Sequence, residues 1–217
     1  MPATPVFPCD VVTWWSEESE KALFARTIEP LKWNGNNSIV ILAVARARLS
    51  MPGTLEWLRR EVELRSRPNG TLTLNRLDPP HDFNQFGHYT EQFGTAMAVS
   101  ELLLQSVGDV LRLFPALDPN TSARFTQLRA QGGFLVSAAI EKGNVGMIEV
   151  QSLYGGRLRL LSPWPSISAR KEDSDREQPL VPDARGIVSM DTKAGETWLF
   201  DNPNTTARRA SPNQSYP

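Results

Sequence analysis

Residues 87–117 read GHYTEQFGTAMAVSELLLQSVGDVLRLFPAL and contain the point at which the chain changes from helices to strands. The segment 93–107 is nearly all apolar and too long for an ordinary strand, which favours a helix buried on all sides. After Gly108-Asp109 the apolar residues come in short runs separated by turn residues, a pattern typical of strands. This order predicts an α+β chain in which a helical module precedes a β module.

Three further helices are predicted upstream of this segment. Residues 16–31 begin with Ser16 as the expected N-cap, and acidic residues follow in the first turn. Residues 38–49 are apolar on nearly every face, so this helix is expected to be buried. Residues 55–66, which Thr54 is expected to cap, are interpreted as an outer helix facing solvent. Its polar face carries the i,i+4 pairs Glu56–Arg60, Glu61–Arg65 and Glu63–Arg67.

Residues 67–92 lack clear helical periodicity and are predicted to be a long loop. Both histidines of the chain, His81 and His88, fall in this loop.

Downstream of Gly108-Asp109 the pattern predicts an antiparallel β-sandwich. Lys142-Gly143-Asn144 is expected to form a hairpin turn. Residues 168–185 are charged and contain prolines, so they are predicted to be a surface loop. The predicted strands cover residues 110–114, 124–129, 134–141, 146–153, 157–161, 186–190 and 196–200.

These patterns divide the chain into three parts. Residues 1–107 form the helical domain and residues 108–201 form the β-sandwich domain. Residues 202–217 contain almost no large apolar side chain and are predicted to be a disordered tail.

Composition excludes several classes of protein. The formal net charge is −1, which argues against a nucleic-acid partner, and no apolar run is long enough to suggest a membrane span. Cys9 is the single cysteine, so no intrachain disulfide can form, and we expect it to be a small buried apolar residue.

No phosphate-binding loop, metal-ligand spacing or nucleophile elbow occurs, so no cofactor is expected. The N-terminus lacks the pattern of a signal peptide, and a secreted parent protein would carry its signal upstream.

The first candidate site spans residues 86–94, FGHYTEQFG. It combines an imidazole, a phenol, a hydroxyl, a carboxylate and an amide, the mixture with which proteins bind and cleave sugars. Glu91 is the candidate catalytic carboxylate. The alternative is structural, with Thr90 or Glu91 capping the next helix. The candidate substrate-binding residues are His88, Tyr89, Thr90 and Gln92.

The second candidate site lies between the first two helices, at KWNGNNS, residues 32–38. Trp33, Asn34 and Asn36 could line a sugar groove, since an aromatic face and amide groups suit a pyranose ring. The alternative is a turn leading into the helix, with Gly35 in the turn and Asn37 as the N-cap. Both interpretations remain open on sequence alone.

Residues 87–117, together with LRAQGGF at 128–134, resemble glycoside hydrolase family 95. The resemblance covers roughly residues 5–200 and is most specific at 100–136. It implies the last helices of an (α/α)6 barrel followed by a β-sandwich, and inverting hydrolysis of α-L-fucosides or α-L-galactosides. It also implies that the general-acid glutamate lies upstream of this chain, which has fewer helices than a closed barrel needs.

The resemblance breaks at the residue that matters for the attacking water. Family 95 has an Asp-Gly pair where this chain has Thr90 and Glu91. The role of the family's aspartate is therefore not transferred to Thr90, and Glu91 is the candidate substitute, shifted by one position. Fucose specificity is not implied for the parent protein.

Three hypotheses about function follow. The chain contributes one wall of the active site of a family-95-like glycosidase, with a carbohydrate as its partner. Alternatively, it is a carbohydrate-binding or structural module without turnover. A third reading is an interaction module that pairs with the missing part of the barrel through the apolar faces of helices 38–49 and 93–107.

Overall fold

The computed structural model describes residues 2–31, 38–73 and 87–204, with only the backbone described for residues 87 and 88. The chain divides into two compact units. The helical unit comprises Met1–Leu102 and Pro115–Asp118, and the β unit comprises Leu103–Phe114 and Pro119–Pro217. The predicted combination of helices with a β-rich part is confirmed, although two short strands precede the fourth helix. The predicted tail at 202–217 falls mostly outside the described residues, which end at 204.

Four helices occur in the part of the chain described, namely α1 (Glu18–Ile28), α2 (Ser38–Arg48), α3 (Thr54–Glu63) and α4 (Tyr89–Leu103). The expected caps of α1 and α3 are wrong. Ser16 accepts a hydrogen bond from the Thr13 backbone N–H at 3.1 Å, while Glu17 occupies the N-cap position. The hydroxyl of Thr54 donates to the Met51 carbonyl at 2.6 Å, and Thr54 is the first residue of α3. The N-cap position belongs to Gly53, which has a left-handed conformation and makes no side-chain capping bond.

The burial predicted for α2 is confirmed. Every residue of this helix except Ile41 is buried. Its apolar side chains pack with Leu58 of α3 and with Ala98 and Leu102 of α4 in one hydrophobic cluster. A second cluster joins Leu42 and other α2 residues to α1 and to the N-terminal segment. Helix α2 is therefore the centre of the helical unit.

Helix α3 has the exposed face predicted for an outer helix, but one of its predicted charged pairs is buried. The pair Glu61–Arg65 forms at 2.8 Å, and both side chains are at most 4% exposed. On the solvent side, Arg59 contacts Glu56 at 2.8 Å and Glu63 at 3.7 Å. The i,i+4 spacing predicts that two charged groups can meet, and it does not distinguish an exposed pair from a buried one.

Helix α4 begins at Tyr89 rather than at residue 93, and it is not buried on all sides as predicted. Glu91, Ala98 and Leu102 are its buried residues. Large apolar side chains on the other face are exposed, Phe93 by 70% and Met97 by 41%. The prediction failed because apolar composition indicates a preference for burial without supplying the element that covers the surface.

Residues 87–92, expected to be loop, contain regular structure. Strand β1 (Leu72–Thr73) pairs antiparallel with β2 (Gly87–His88), with Leu72 opposite His88. Helix α4 follows β2 directly. The rest of the predicted long loop, residues 74–86, lies outside the described residues, and so does His81. The β1–β2 ribbon thus sets the position at which α4 begins.

The β unit contains the remaining strands. Their bounds are β3 (Leu104–Gln105), β4 (Arg112–Leu113), β5 (Ala123–Ala130), β6 (Phe134–Glu141), β7 (Asn144–Val145), β8 (Ile148–Ser152), β9 (Gly155–Leu161), β10 (Ile167–Lys171), β11 (Gln178–Leu180), β12 (Ile187–Lys193) and β13 (Thr197–Asp201). One antiparallel sheet has the order β11-β10-β13-β8-β6-β5, with β7 paired to β6. Strands β12 and β9 form a second antiparallel pair, and β3 and β4 form a third. The β-rich, sandwich-like character predicted for this part is confirmed.

Local turn chemistry explains the hairpin between β6 and β7. Lys142 and Gly143 both adopt positive φ, at 47° and 80°, and Glu141 pairs with Asn144 across the turn. This is the backbone twist that a two-residue hairpin needs, as predicted. The surface loop predicted at 168–185 is only partly correct, because β10 and β11 both lie in that region. Cys9, expected to be buried, is exposed.

Candidate functional site

The candidate residues in the first turn of α4 point in different directions. Tyr89 is 66% exposed, whereas Glu91 is 1% exposed. Thr90 and Gln92 are both exposed. A helical turn places adjacent residues about 100° apart, so the two sets of side chains separate onto opposite faces. The turn therefore presents polar and aromatic groups to solvent and turns its carboxylate inwards.

The exposed face of this turn carries a pair of aromatic rings. The rings of Tyr89 and Phe93 are 6.5 Å apart between centroids and nearly parallel, with an interplanar angle of 25°. Their i,i+4 spacing brings the two side chains onto the same face of α4. Both rings remain mostly exposed, at 66% and 70%. We call these two residues the aromatic platform.

Glu91 lies on the face of α4 that packs against α2. It shares this face with Gly94, Ala98 and Leu102, at helical spacing. Gly94 approaches Val40 so closely that a Cβ atom at Gly94 would lie 2.9 Å from the Val40 Cβ. Glu91 is in the first turn of its helix, where the helix dipole stabilises a carboxylate. Its position in the first turn is compatible with both alternatives, capping of the helix and a catalytic role.

A buried polar cluster lies at the base of the β1–β2 ribbon. Arg65 and Glu61 form their ion pair there, and Thr73 of β1 is completely buried. The Thr73 backbone N–H donates to the Arg65 carbonyl at 2.9 Å. Charged side chains are rarely buried this deeply unless they are paired. The cluster therefore fixes the end of α3 to β1, the strand whose partner leads into α4.

The other predicted site residues cannot be placed in the same way. Trp33, Asn34 and Asn36 lie outside the described residues. His88 contributes its backbone to β2 opposite Leu72. The structure therefore brings together Tyr89, Thr90, Glu91 and Gln92 on one helical turn, and leaves the second candidate groove as a prediction.

Phe93 belongs to the aromatic platform but is not among the substrate-binding residues predicted from the sequence. Tyr89 and Phe93 stand four positions apart, which places them on one face only if the helix already includes Tyr89. The prediction started the helix at residue 93, so Tyr89 was assigned to a loop. A helix start at Tyr89 would have made the aromatic pair visible from the sequence.

A second group of charged residues lies in the β unit at Glu196. Lys171 Nζ contacts Glu196 Oε1 at 2.7 Å. The Lys171 hydrogen bond, the Lys193 backbone N–H and Trp198 together lower the pKa of Glu196 to about 2. A carboxylate held this firmly by its own neighbours is structural in character. No group of His, Cys, Asp and Glu side chains that could hold a metal ion is found among the described residues.

None of the helices described has both the length and the apolar character needed to cross a bilayer. Comparison with known proteins gave no matching family model and no matching curated protein.

The solved structures that show a distant likeness include two glycoside hydrolases. One is a family 39 glycoside hydrolase from Bacteroides cellulosilyticus WH2, with 16% identity, 78% of this chain and 32% of that chain covered, and a TM-score of 0.29. The other is the catalytic domain of a family 30 glycoside hydrolase, xylanase C from Talaromyces cellulolyticus, with 12% identity, coverage of 46% and 26%, and a TM-score of 0.24. This chain spans less than a third of either structure. Both proteins are glycoside hydrolases, and TM-scores below 0.5 establish no common fold.

Proposed function

We propose that this chain is the C-terminal part of a carbohydrate-active hydrolase related to family 95, and that the first turn of α4 forms one wall of its sugar site. The observation that carries the proposal is the aromatic platform. Apolar side chains are costly to leave in water, and an exposed ring pair offers a flat surface on which a pyranose can stack. Thr90 and Gln92 provide hydroxyl and amide groups beside it. Aromatic and polar groups in this combination suit sugar recognition.

Glu91 is the proposed catalytic carboxylate, and its burial places a condition on this role. In an inverting glycosidase the two carboxyl groups lie about 6.5–9.5 Å apart, with the attacking water between the base and the sugar. At 1% exposure, Glu91 can serve as the base only in an assembly that gives a water molecule access to it. The resemblance assigns the general acid to a region upstream of residue 1. We therefore expect the isolated chain to bind a sugar without hydrolysing it.

Sugar binding can be tested by titrating the chain with L-fucose and L-galactose while recording NMR spectra. We expect shifts in residues of the first turn of α4, which Tyr89→Ala and Phe93→Ala each abolish. Leu23→Ala is the matched control, because Leu23 is a 53% exposed apolar residue on a different helix, α1. Binding that survives both aromatic substitutions would disprove the proposed site.

Catalysis needs a second experiment, with aryl α-L-fucoside and α-L-galactoside substrates. The chain alone is expected to be inactive, and a version extended by the coding sequence upstream of Met1 is expected to be active if that sequence supplies the missing helices. Glu91→Gln should then abolish turnover with little change in sugar binding, because the amide keeps the shape of the carboxylate. Full activity in the Glu91→Gln enzyme would exclude the catalytic role.

A second candidate function is favoured by the length of the exposed apolar face. Tyr89, Phe93 and Met97 follow one another at i,i+4 spacing along α4, over about 12 Å of helix. Such a stripe suits the apolar face of another helix, here one from the missing part of the barrel. The corresponding expectation for α2 is wrong, since that helix is already covered.

Met97→Glu separates the two candidates. Met97 lies one turn beyond the aromatic platform and is 41% exposed. If α4 docks another helix, this charge should weaken association with the upstream helices and leave sugar shifts at Tyr89 and Phe93 intact. Unchanged association, measured by analytical ultracentrifugation of the mixed parts, would leave the sugar site as the sole function of this face.

A further inference from the structure

The outer surface of β9 borders a cleft of about 260 Å³ in the β unit. This volume approaches the range of about 300–1,000 Å³ that is usual for small-molecule sites. The floor includes the buried apolar side chains of Leu111 and Phe134, and the polar lining includes Asp109, Gln131, Arg157 and Arg159. No part of the proposed function uses this cleft.

The strand pattern explains why two arginines line the cleft. In β9, Leu158 and Leu160 are buried at 1% and 0% exposure, so Arg157 and Arg159 between them face the other way. Residues two apart on one strand lie about 7 Å apart on the same face. Two guanidinium groups are therefore presented side by side, above an apolar floor.

Neither arginine is neutralised by an ion pair among the described residues. The Arg157 side chain makes no hydrogen bond there, although Asp191 stands opposite it in the register of β12. Arg159 donates one long hydrogen bond, of 3.4 Å, to the Gly108 carbonyl. It also attracts the Asp183 carboxylate, but that group already accepts hydrogen bonds from two backbone N–H groups.

Glu196, in the same unit, is a charged group whose hydrogen-bond partners are all supplied by neighbouring residues. Glu196 has a lysine partner at 2.7 Å, a backbone donor at 3.0 Å and an indole donor at 3.0 Å. A ligand there would have to displace these contacts. The two arginines of β9 keep most of their donors available, which is the arrangement expected of an anion-binding surface.

Gly132 keeps one side of the cleft open. Its φ is +78°, and a Cβ atom at this position would lie 2.8 Å from Phe134 Cε2. The absence of a side chain here leaves the ring of Phe134 as part of the lining. The next residue, Gly133, lies under the ring of Tyr154, which is 69% exposed. An exposed aromatic ring therefore stands beside the turn that borders the cleft.

We propose that this cleft binds a sugar that carries a carboxylate, a uronic acid, with the carboxylate held by Arg157 and Arg159. Guanidinium groups bind carboxylates through paired, charge-assisted hydrogen bonds. Asp109 and Gln131 would then accept and donate hydrogen bonds to the ring hydroxyls, and Leu111 and Phe134 would contact the apolar face of the ring. This site shares no residue with the aromatic platform and does not depend on the function proposed for it.

The test is a titration of the full chain with D-glucuronate, with D-glucose and acetate as comparison ligands, by NMR and calorimetry. We expect D-glucuronate to bind more tightly than either comparison ligand and to shift residues lining the cleft. Arg157→Gln/Arg159→Gln should weaken D-glucuronate binding by about tenfold or more, because charge-assisted hydrogen bonds are lost. Arg176→Gln is the matched control, an exposed arginine elsewhere in the β unit, and should change nothing.

Three results would overturn the proposal. If D-glucose binds as tightly as D-glucuronate, the carboxylate is not recognised. If acetate binds as tightly as D-glucuronate, the sugar ring is not recognised. D-glucuronate binding that the double substitution leaves unchanged would place the ligand elsewhere. The single substitution Arg157→Gln guards against loss of fold, since Arg157 is exposed. Loss of sugar binding at Tyr89 and Phe93 would leave this result untouched.

Discussion

Helices α2 and α4 are both strongly apolar, yet they have opposite environments. Helix α2 is buried at every residue but Ile41, including two arginines. Helix α4 buries Glu91, Ala98 and Leu102, while Tyr89 and Phe93 stay mostly exposed. Apolar composition therefore predicts that a helix prefers burial, but the number of neighbouring elements decides how much of it is covered.

The buried face of α4 shows how the two helices come together. Gly94 and Ala98 are small, and Gly94 lies against Val40 of α2. Small residues allow two helix backbones to approach closely, because no large side chain separates them. Tyr89, Phe93 and Met97 are on the opposite face of α4, where their side chains stay largely exposed. The contrast can be tested by substitutions, which we order by the size of the expected effect.

Leu42→Ala should have the largest effect. Leu42 is 3% exposed in the core shared by α1 and α2, and removing its side chain leaves a cavity. We expect the free energy of unfolding to fall by about 3 kcal/mol, as is typical of buried leucines. Urea unfolding followed by tryptophan fluorescence measures it. A cost below about 1 kcal/mol would mean that α2 is not the centre of the core.

Arg48→Met should have the next largest effect, about 2 kcal/mol. The Arg48 guanidinium contacts Asp10 and lies 3.3 Å from Glu101 of α4, so its loss leaves the Glu101 carboxylate, 15% exposed, without this cation. Arg59→Met is the control, since Arg59 makes its ion pairs on the exposed side of α3. Equal urea midpoints for the two variants would show that the buried pair does not join α2 to α4.

Gly94→Ala tests the close approach of α2 and α4. Alanine favours a helix over glycine by about 1 kcal/mol, but overpacking against Val40 costs about 1–3 kcal/mol. We expect a net loss of about 1 kcal/mol in the free energy of unfolding.

Val40→Ala supplies the matched rescue. In the double variant the new methyl group occupies space vacated by Val40, so the two changes together should cost less than their sum. Additive costs in this double-mutant cycle would mean that the two residues are not in contact.

Met97→Ser should have the smallest effect. Met97 is 41% exposed on the uncovered face of α4, so the free energy of unfolding should change by less than about 0.5 kcal/mol. The same urea titration measures it, alongside Leu42→Ala. A loss comparable to that of Leu42→Ala would show that Met97 is covered in solution, for example by a second copy of the chain.

Much of the fold was predictable because it depends on local pattern. The alternation of arginine and leucine at 157–160 identifies a half-buried strand, and Lys142-Gly143 forms the expected hairpin turn. Strand β10 was missed because ISARK, at 167–171, has a charged, loop-like composition, although Ile167 and Ala169 are buried against neighbouring strands. Sheet neighbours, which are distant in sequence, supplied the burial that composition did not indicate.

The sequence by itself determined that helices dominate the first half of the chain and strands the second. It also determined the burial of α2 and the polar and aromatic make-up of the turn at Tyr89–Gln92. Only the tertiary structure decided that Glu91 turns inwards, that Tyr89 and Phe93 form an exposed pair and that Arg157 and Arg159 line a cleft. The physical reason is that periodicity assigns side chains to faces of an element. Which of those faces another element covers depends on packing between segments far apart in the chain.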